Sequence, residues 1–171
     1  MRASETLELL QLGIGPHLRD VSLIAAAGGH LSLALELDGV GHVSAYQLSD
    51  GQLTYLAFVA LVQLDEGRTL LCFDEPEQHL HPELLGRVVQ LLVAASERYP
   101  VVLATHSDHI LDLLPDPVSS VRVCELDDNH QTVLRKLDAE QLEKWLERYR
   151  GLGEIRAAGQ LRSVLAERES A

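Results

Sequence analysis

The sequence predicts an α/β fold, with parallel central strands flanked by helices and a separate antiparallel element at the N-terminal end. Three observations lead there. Residues 70–73 and 101–104 are short, continuous apolar runs of the kind expected for strands covered on both faces of a parallel sheet. Between them lies an amphipathic stretch, 83–97, with Leu84, Leu85, Val88, Val89, Leu91, Leu92 and Ala95 on its apolar side. That is the pattern of a crossover helix joining parallel neighbours, and the connection should be right-handed. Residues 30–37 instead alternate Leu31, Leu33, Leu35 and Leu37 with His30, Ser32, Ala34 and Glu36, the period of a half-buried strand.

The remaining elements follow in chain order. Residues 4–12 suit a short helix with Ser4 as its cap, broken at Gly13-Ile14-Gly15-Pro16. This Gly-x-Gly is weak evidence for a phosphate loop, since Pro16 removes an amide donor and no Gly-Lys-Ser/Thr follows. Residues 20–27 and 30–37 read as strands joined by a two-residue turn at Gly28-Gly29, and 43–48 as a further extended segment. A helix should run over 53–64, and Pro82 suits the first turn of the helix at 83–97. A helix at 108–114 is stopped by Pro115 and Pro117. Residues 119–126 and 132–137 pair as edge strands around Asp127-Asp128-Asn129. Asp138 caps a helix to about residue 150, with Leu142, Trp145, Leu146 and Tyr149 inward; 151–153 is a break, and the tail from Glu154 is helical.

Composition bounds the class. A length of 171 residues suits a single domain with a sizeable core, and 46% hydrophobic against 23% charged residues is ordinary for a globular protein. Within it, 1–47 forms the antiparallel part, 48–114 the core and 115–171 the C-terminal strands and helices. No apolar run approaches the roughly 18 residues that span a bilayer, and the N-terminus lacks the apolar centre of a signal peptide. The default is therefore a cytoplasmic location and no membrane partner. Cys72 and Cys124 lie inside strand-like runs and are expected to be buried thiols. The net charge of −12 argues against a general nucleic-acid surface. Residues 1–110 hold 5 basic and 14 acidic side chains, 111–171 hold 9 and 12, so any such contact falls to the final third or to a partner.

Three places carry candidate chemistry. Asp74 and Glu75 follow the first buried run at once, and Pro76 ends its ladder. Carboxylates at the C-terminal edge of such a strand lie where open α/β sheets bind ligands. One can hold a Mg²⁺ that bridges nucleotide phosphates while the other orients or deprotonates water. His106, in Thr105-His106-Ser107, ends the second run and has the same placement. Ser49-Asp50-Gly51-Gln52 opens a helix, either as an ordinary cap or as an anion site of free amides and a hydroxyl. Two other enzyme classes fit worse. His79 and His81, two apart in a turn beside Glu77, lack the one-face spacing of a helical zinc motif. His106, Ser107 and Asp108 are consecutive and cannot easily converge as a serine triad.

Taken together, the pieces carry a resemblance. Leu48-Ser49-Asp50-Gly51-Gln52 resembles the signature motif of ABC-type ATPases, with Asp50 where the commoner form has Gly. Residues 70–75 resemble a Walker B strand with its catalytic glutamate, and Thr105-His106-Ser107 the histidine switch. The variant Asp-Glu-Pro-Glu-Gln-His-Leu-His-Pro is similar to soluble AAA/ABC-like ATPases related to overcoming-lysogenization-defect proteins and to bacterial antiphage systems. The resemblance covers about 8–160 and implies the C-terminal part of a P-loop NTPase fold. It also implies ATP and Mg²⁺ as ligands. Asp74 would hold the metal, Glu75 would be the general base and His106 would contact the γ-phosphate. Ser49, Asp50, Gly51 and Gln52 would form the turn that meets the nucleotide of an opposite protomer, and 79–82 would cross the dimer interface.

One departure is decisive for the expected partners. A phosphate-binding loop needs a Lys followed by Ser or Thr after a glycine-rich turn. The only lysines are Lys136, before Leu137, and Lys144, before Trp145. The chain is therefore expected to pair with an N-terminal ATPase half or a second head domain, as a homo- or hetero-dimer. Alone it should bind ATP weakly or not at all. A nuclease or DNA is the effector class the resemblance suggests, and a non-hydrolysing interaction module is the competing reading.

Overall fold

A computed structural model describes residues 3–64 and 67–166, which fall into two compact units, 1–104 and 105–171. In the first unit, α1 (Ala3–Ile14) precedes a three-stranded antiparallel sheet in the order β1 (Leu18–Ala25), β2 (Leu31–Leu37), β3 (Gly41–Ser44). The register sets Val21 opposite Leu35 and Leu23 opposite Leu33. Leu18 and Leu35 are buried with Leu56, and Leu7, Leu10 and Ile14 of α1 close over them. The β1–β2 connection is longer than the two-residue turn expected. Ala27–Gly29 forms a 3-10 turn, Ala26 N–H donates to the His30 carbonyl at 2.7 Å, and Gly28 and Gly29 sit at φ 77° and 76°. Two consecutive left-handed residues are what glycine permits without steric cost. Gly13 lies inside α1, its Cα packed against the Tyr55 ring, so it serves helix packing rather than a phosphate loop.

Next comes α2 (Asp50–Gln63), buried at Tyr55, Leu56, Phe58, Val59 and Val62. Then β4 (Leu71–Asp74) and β5 (Val101–Ala104) run parallel as neighbours, linked through α3 (Pro82–Ser96), with Pro82 in its first turn. Leu71 pairs with Val101 and Asp74 with Ala104. Val88, Leu91, Leu92 and Ala95 of α3 pack with Tyr55, Phe58 and Val59 of α2, and Phe73, Val101 and Leu103 seat on that cluster. Each side chain so buried contributes about 1.5–3 kcal/mol of apolar transfer energy. The opposite face departs from expectation. Cys72 is exposed and Val102 retains 52% of its surface, so these strands are covered on one face only. The expectation of a buried Cys72 thiol is corrected accordingly. A parallel sheet covered by helices on one side alone is unusual, because crossovers place helices on both faces of complete α/β sheets.

The second unit contains α4 (Asp108–Leu113), α5 (Pro117–Ser120), β6 (Arg122–Leu126), β7 (Thr132–Lys136), α6 (Ala139–Leu146) and α7 (Leu152–Ala157). β6 and β7 form the expected antiparallel hairpin, with Asp127 Oδ1 accepting from Asn129 N and Gln131 N at 2.9 Å each. The first strand starts at Arg122 rather than 119, because Asp116 caps a helical turn by accepting from Ser119 N at 3.2 Å. Cys124 occupies a solvent-facing register position of β6, which corrects the second expectation of a buried thiol. Helix α6 ends at Leu146, four residues short of expectation, and Leu146 is 41% exposed rather than inward. Trp145 and Tyr149 do turn inward, stacked at 5.7 Å between centroids. The break between helices falls at 147–151 rather than 151–153, with Gly151 as the N-cap of α7 and Leu152 and Gly153 inside it. After α7 comes a 3-10 turn, Leu161–Val164, and the last five residues of the expected helical tail lie outside the described residues. Leu142, Leu152, Ile155 and Val164 make the core of this unit.

Candidate functional site

Asp74 is the last residue of β4, level with Ala104 of β5, and its side chain is exposed. The ladder extends one bond further, as Glu75 N–H donates to the Ala104 carbonyl at 2.8 Å. Glu75 then takes φ +46°, left-handed for a residue with a long side chain. Such conformations cost about 1–3 kcal/mol and persist where surroundings over-determine them, often at functional sites. Glu75 also opens a turn: Gln78 N–H reaches its carbonyl at 3.1 Å, Leu80 N–H reaches that of Glu77 at 3.1 Å, and His79 is left-handed at φ +65°. Neighbouring carboxylates thus leave the strand in different ways, Asp74 in extended backbone and Glu75 at the start of a tight turn.

The Ser49–Gln52 turn lies against this loop. At Gly51 a Cβ would stand 2.8 Å from the His79 carbonyl oxygen, a backbone approach that glycine alone permits without a shift. That Gly51 and His79 meet is not legible in the sequence, because the contact closes across 28 residues. Ser49 is the N-cap of α2, its Oγ accepting from Gln52 N at 3.3 Å while Ser49 N–H donates to Gln52 Oε1 at 3.0 Å. This reciprocal box occupies the Ser49 and Gln52 groups with each other. Asp50 is the first residue of α2, where its negative charge suits the helix dipole. The cap reading of this turn is therefore realised. An anion could join only by displacing the Gln52 side chain or by using amides that the box leaves over.

His106 belongs to the second unit, where it is exposed. Its turn is braced by Ser107 N–H donating to Thr105 Oγ1 at 2.9 Å and Ile110 N–H donating to Ser107 Oγ at 3.3 Å. Ser107 is thus committed to capping α4, which leaves no role for it as a nucleophile. Sequence reasoning missed Arg156, whose Nη1 donates to the His106 carbonyl at 2.9 Å from 50 residues away.

The donor set suits Mg²⁺ better than a metal held by protein alone. Among the described residues no group of three or more His, Cys, Asp and Glu converges, which weighs against the metal-hydrolase alternative. Mg²⁺ commonly takes only one or two carboxylates and fills its octahedron with water and substrate phosphate, so an exposed Asp74 beside Glu75 fits. Phosphates are served less well. Lys136 lies in β7, and Lys144 in α6 is bonded to Glu140 at 2.9 Å, which pushes its ammonium pKa up. Neither lysine lies in a glycine-rich turn.

Comparison with known proteins bears on the family and the fold. Residues 13–112 match the family described as "AAA domain, putative AbiEii toxin, Type IV TA system", more than half of the chain. The Old nuclease of Escherichia phage P2 is 30% identical over 112 residues, 64% of this chain. The match spans only 19% of the nuclease. Among solved structures, a chain from work on ATP-driven dimerization and DNA-stimulated activation of SMC ATPases superposes with a TM-score of 0.61 at 18% identity, covering 86% of this chain and 90% of that one. An Smc head domain with coiled coil and joint from Pyrococcus yayanosii gives 0.57 at 22% identity, covering 85% and 28%. These likenesses establish the fold, that of P-loop NTPases of the ABC head kind. The chain belongs to the AAA domain family matched over residues 13–112, as an ABC/AAA-like ATPase domain.

Proposed function

We propose that this chain is the C-terminal part of an ABC-type ATPase head, which hydrolyses ATP when completed by a Walker A-bearing half and paired with a second head. The observation that carries the reading is the approach of Gly51 to the His79 carbonyl, which sets the signature-like turn against the loop opened by Asp74 and Glu75. Asp74 would hold Mg²⁺, which neutralises phosphate charge when bound. Glu75 takes the proton of the attacking water, and His106 contacts the γ-phosphate. Ser49, Gly51 and Gln52, with Asp50 in the same turn, address the nucleotide of the opposite head. Phosphoryl transfer depends mainly on positioning and charge neutralisation in a closed interface, so residues from two heads can share one site.

The uncovered face of β4 and β5 supports the need for a completing polypeptide, since Cys72 and Val102 present apolar surface where a full sheet carries its second layer. The same face is also what a non-hydrolysing interaction module would use. The name of the phage P2 relative supports a nuclease as effector and so a DNA-related process, while a place in bacterial defence rests on the sequence resemblance alone. The test is Glu75→Gln in the completed ATPase. ATP binding is expected to persist while turnover falls by about 10²–10⁴-fold, and light scattering should show heads held together by unhydrolysed ATP. Turnover within twofold of wild type would remove Glu75 from the chemistry and favour the interaction module.

A further inference from the structure

Within the second unit, the segment 151–156 clasps the turn that carries His106. Arg156 Nη1 donates to the His106 carbonyl at 2.9 Å and is ion-paired with Asp108 through the same nitrogen. Gly153 N–H donates to Asp112 Oδ1 at 2.6 Å, one turn further along α4. The two glycines make this approach possible. A Cβ on Gly153 would overlap the Asp108 carbonyl, and one on Gly151 would overlap the Asp112 carboxylate. The start of α7 is therefore seated against α4 at van der Waals distance, with Arg156 reaching past its first turn to the residue before the α4 cap. An exposed imidazole takes its aim from its backbone. Fixing the His106 carbonyl holds the 106–107 peptide plane and so restricts where the histidine Cβ can point. Nη1 carries two N–H groups, so one cationic nitrogen serves the carbonyl and the carboxylate together.

We infer that Arg156 is the positioning residue for His106, seated by Gly151 and Gly153, so that the C-terminal segment sets the aim of the phosphate-sensing histidine. This rests on the reading of His106 given above, and the experiment separates the two. In the 171-residue chain, Arg156→Met should speed amide hydrogen exchange at residues 107–110 by about tenfold, from loss of both the bond to the His106 carbonyl and the partly exposed ion pair with Asp108. Arg156→Lys should restore most of the protection, and exchange in the β6–β7 hairpin should not change. In the completed ATPase, Arg156→Met should lower kcat about tenfold with KM for MgATP little changed, and add nothing in a His106→Ala background. Unchanged exchange at 107–110 would overturn the proposal, as would a further loss of kcat on top of His106→Ala. If His106→Ala alone leaves kcat intact, the phosphate reading of His106 fails, and the exchange result by itself decides whether Arg156 holds the turn.

Discussion

Glu75 combines a reactive group with an unfavourable backbone, and the two can be separated by substitution. Both Glu75→Gly and Glu75→Ala discard the carboxylate and its contacts, but only glycine accepts φ +46° without penalty. The glycine variant is expected to be more stable than the alanine variant by about 1 kcal/mol, although alanine normally has the lower unfolded-state entropy. Equal stability in urea titrations would mean that the loop relaxes and stores no strain. The acidic pair itself was legible in the sequence, because an apolar run ending in Asp-Glu-Pro fixes a strand edge. The left-handed turn was not. Glutamate has no preference for that region, and the conformation comes from the Ala104 and Gln78 bonds around it. Gly51 was likewise legible as a turn glycine, but the carbonyl that demands it lies in a different loop.

Among the elements, the α1–α2 contact has a specific fastening in Tyr55. Its hydroxyl donates to the Leu9 carbonyl at 2.8 Å, its ring lies on Gly13, and only 2% of its surface is exposed. Burial pushes the phenol above its ordinary pKa. The neutral form is then favoured by folding, so this contribution is fully present below the unfolded value near 10 and is lost as pH rises through the folded one. Tyr55→Phe is expected to cost about 1 kcal/mol at pH 7 by removing the bond to the Leu9 carbonyl, and to lessen the fall in stability between pH 7 and 10.5. Denaturant titrations at both pH values check it; an undiminished alkaline fall would assign the effect elsewhere. Helices and strands with clear periodicity, such as α3 and β2, were legible almost to the residue. Boundaries that depend on caps were less so. Asp116 turned the expected start of β6 into a helical turn, and α6 stopped early where Trp145 and Tyr149 stack.

At the scale of the whole molecule, the missing Lys-Ser/Thr loop was legible from two lysine positions alone. The bare face of β4 and β5 was not, because a continuous apolar run reads as buried on both sides whether or not this chain supplies the second layer. That face gives a chemical probe. Cys72 and Cys124 are both exposed, and both should react with a small alkylating agent in the isolated chain. Once a Walker A-bearing half is bound, Cys72 is expected to be protected and Cys124 to remain reactive; protection of neither would place the completing half elsewhere. The central claim, a site shared between two heads, is tested most directly by mixing two inactive ATPases, one carrying Ser49→Arg and the other Glu75→Gln. Each alone should be inactive, one from damage to its partner's site and the other from loss of the base. Their heterodimer should regain about half of wild-type steady-state ATPase activity, from one intact site of two. Heterodimers that form but stay inactive would contradict the account.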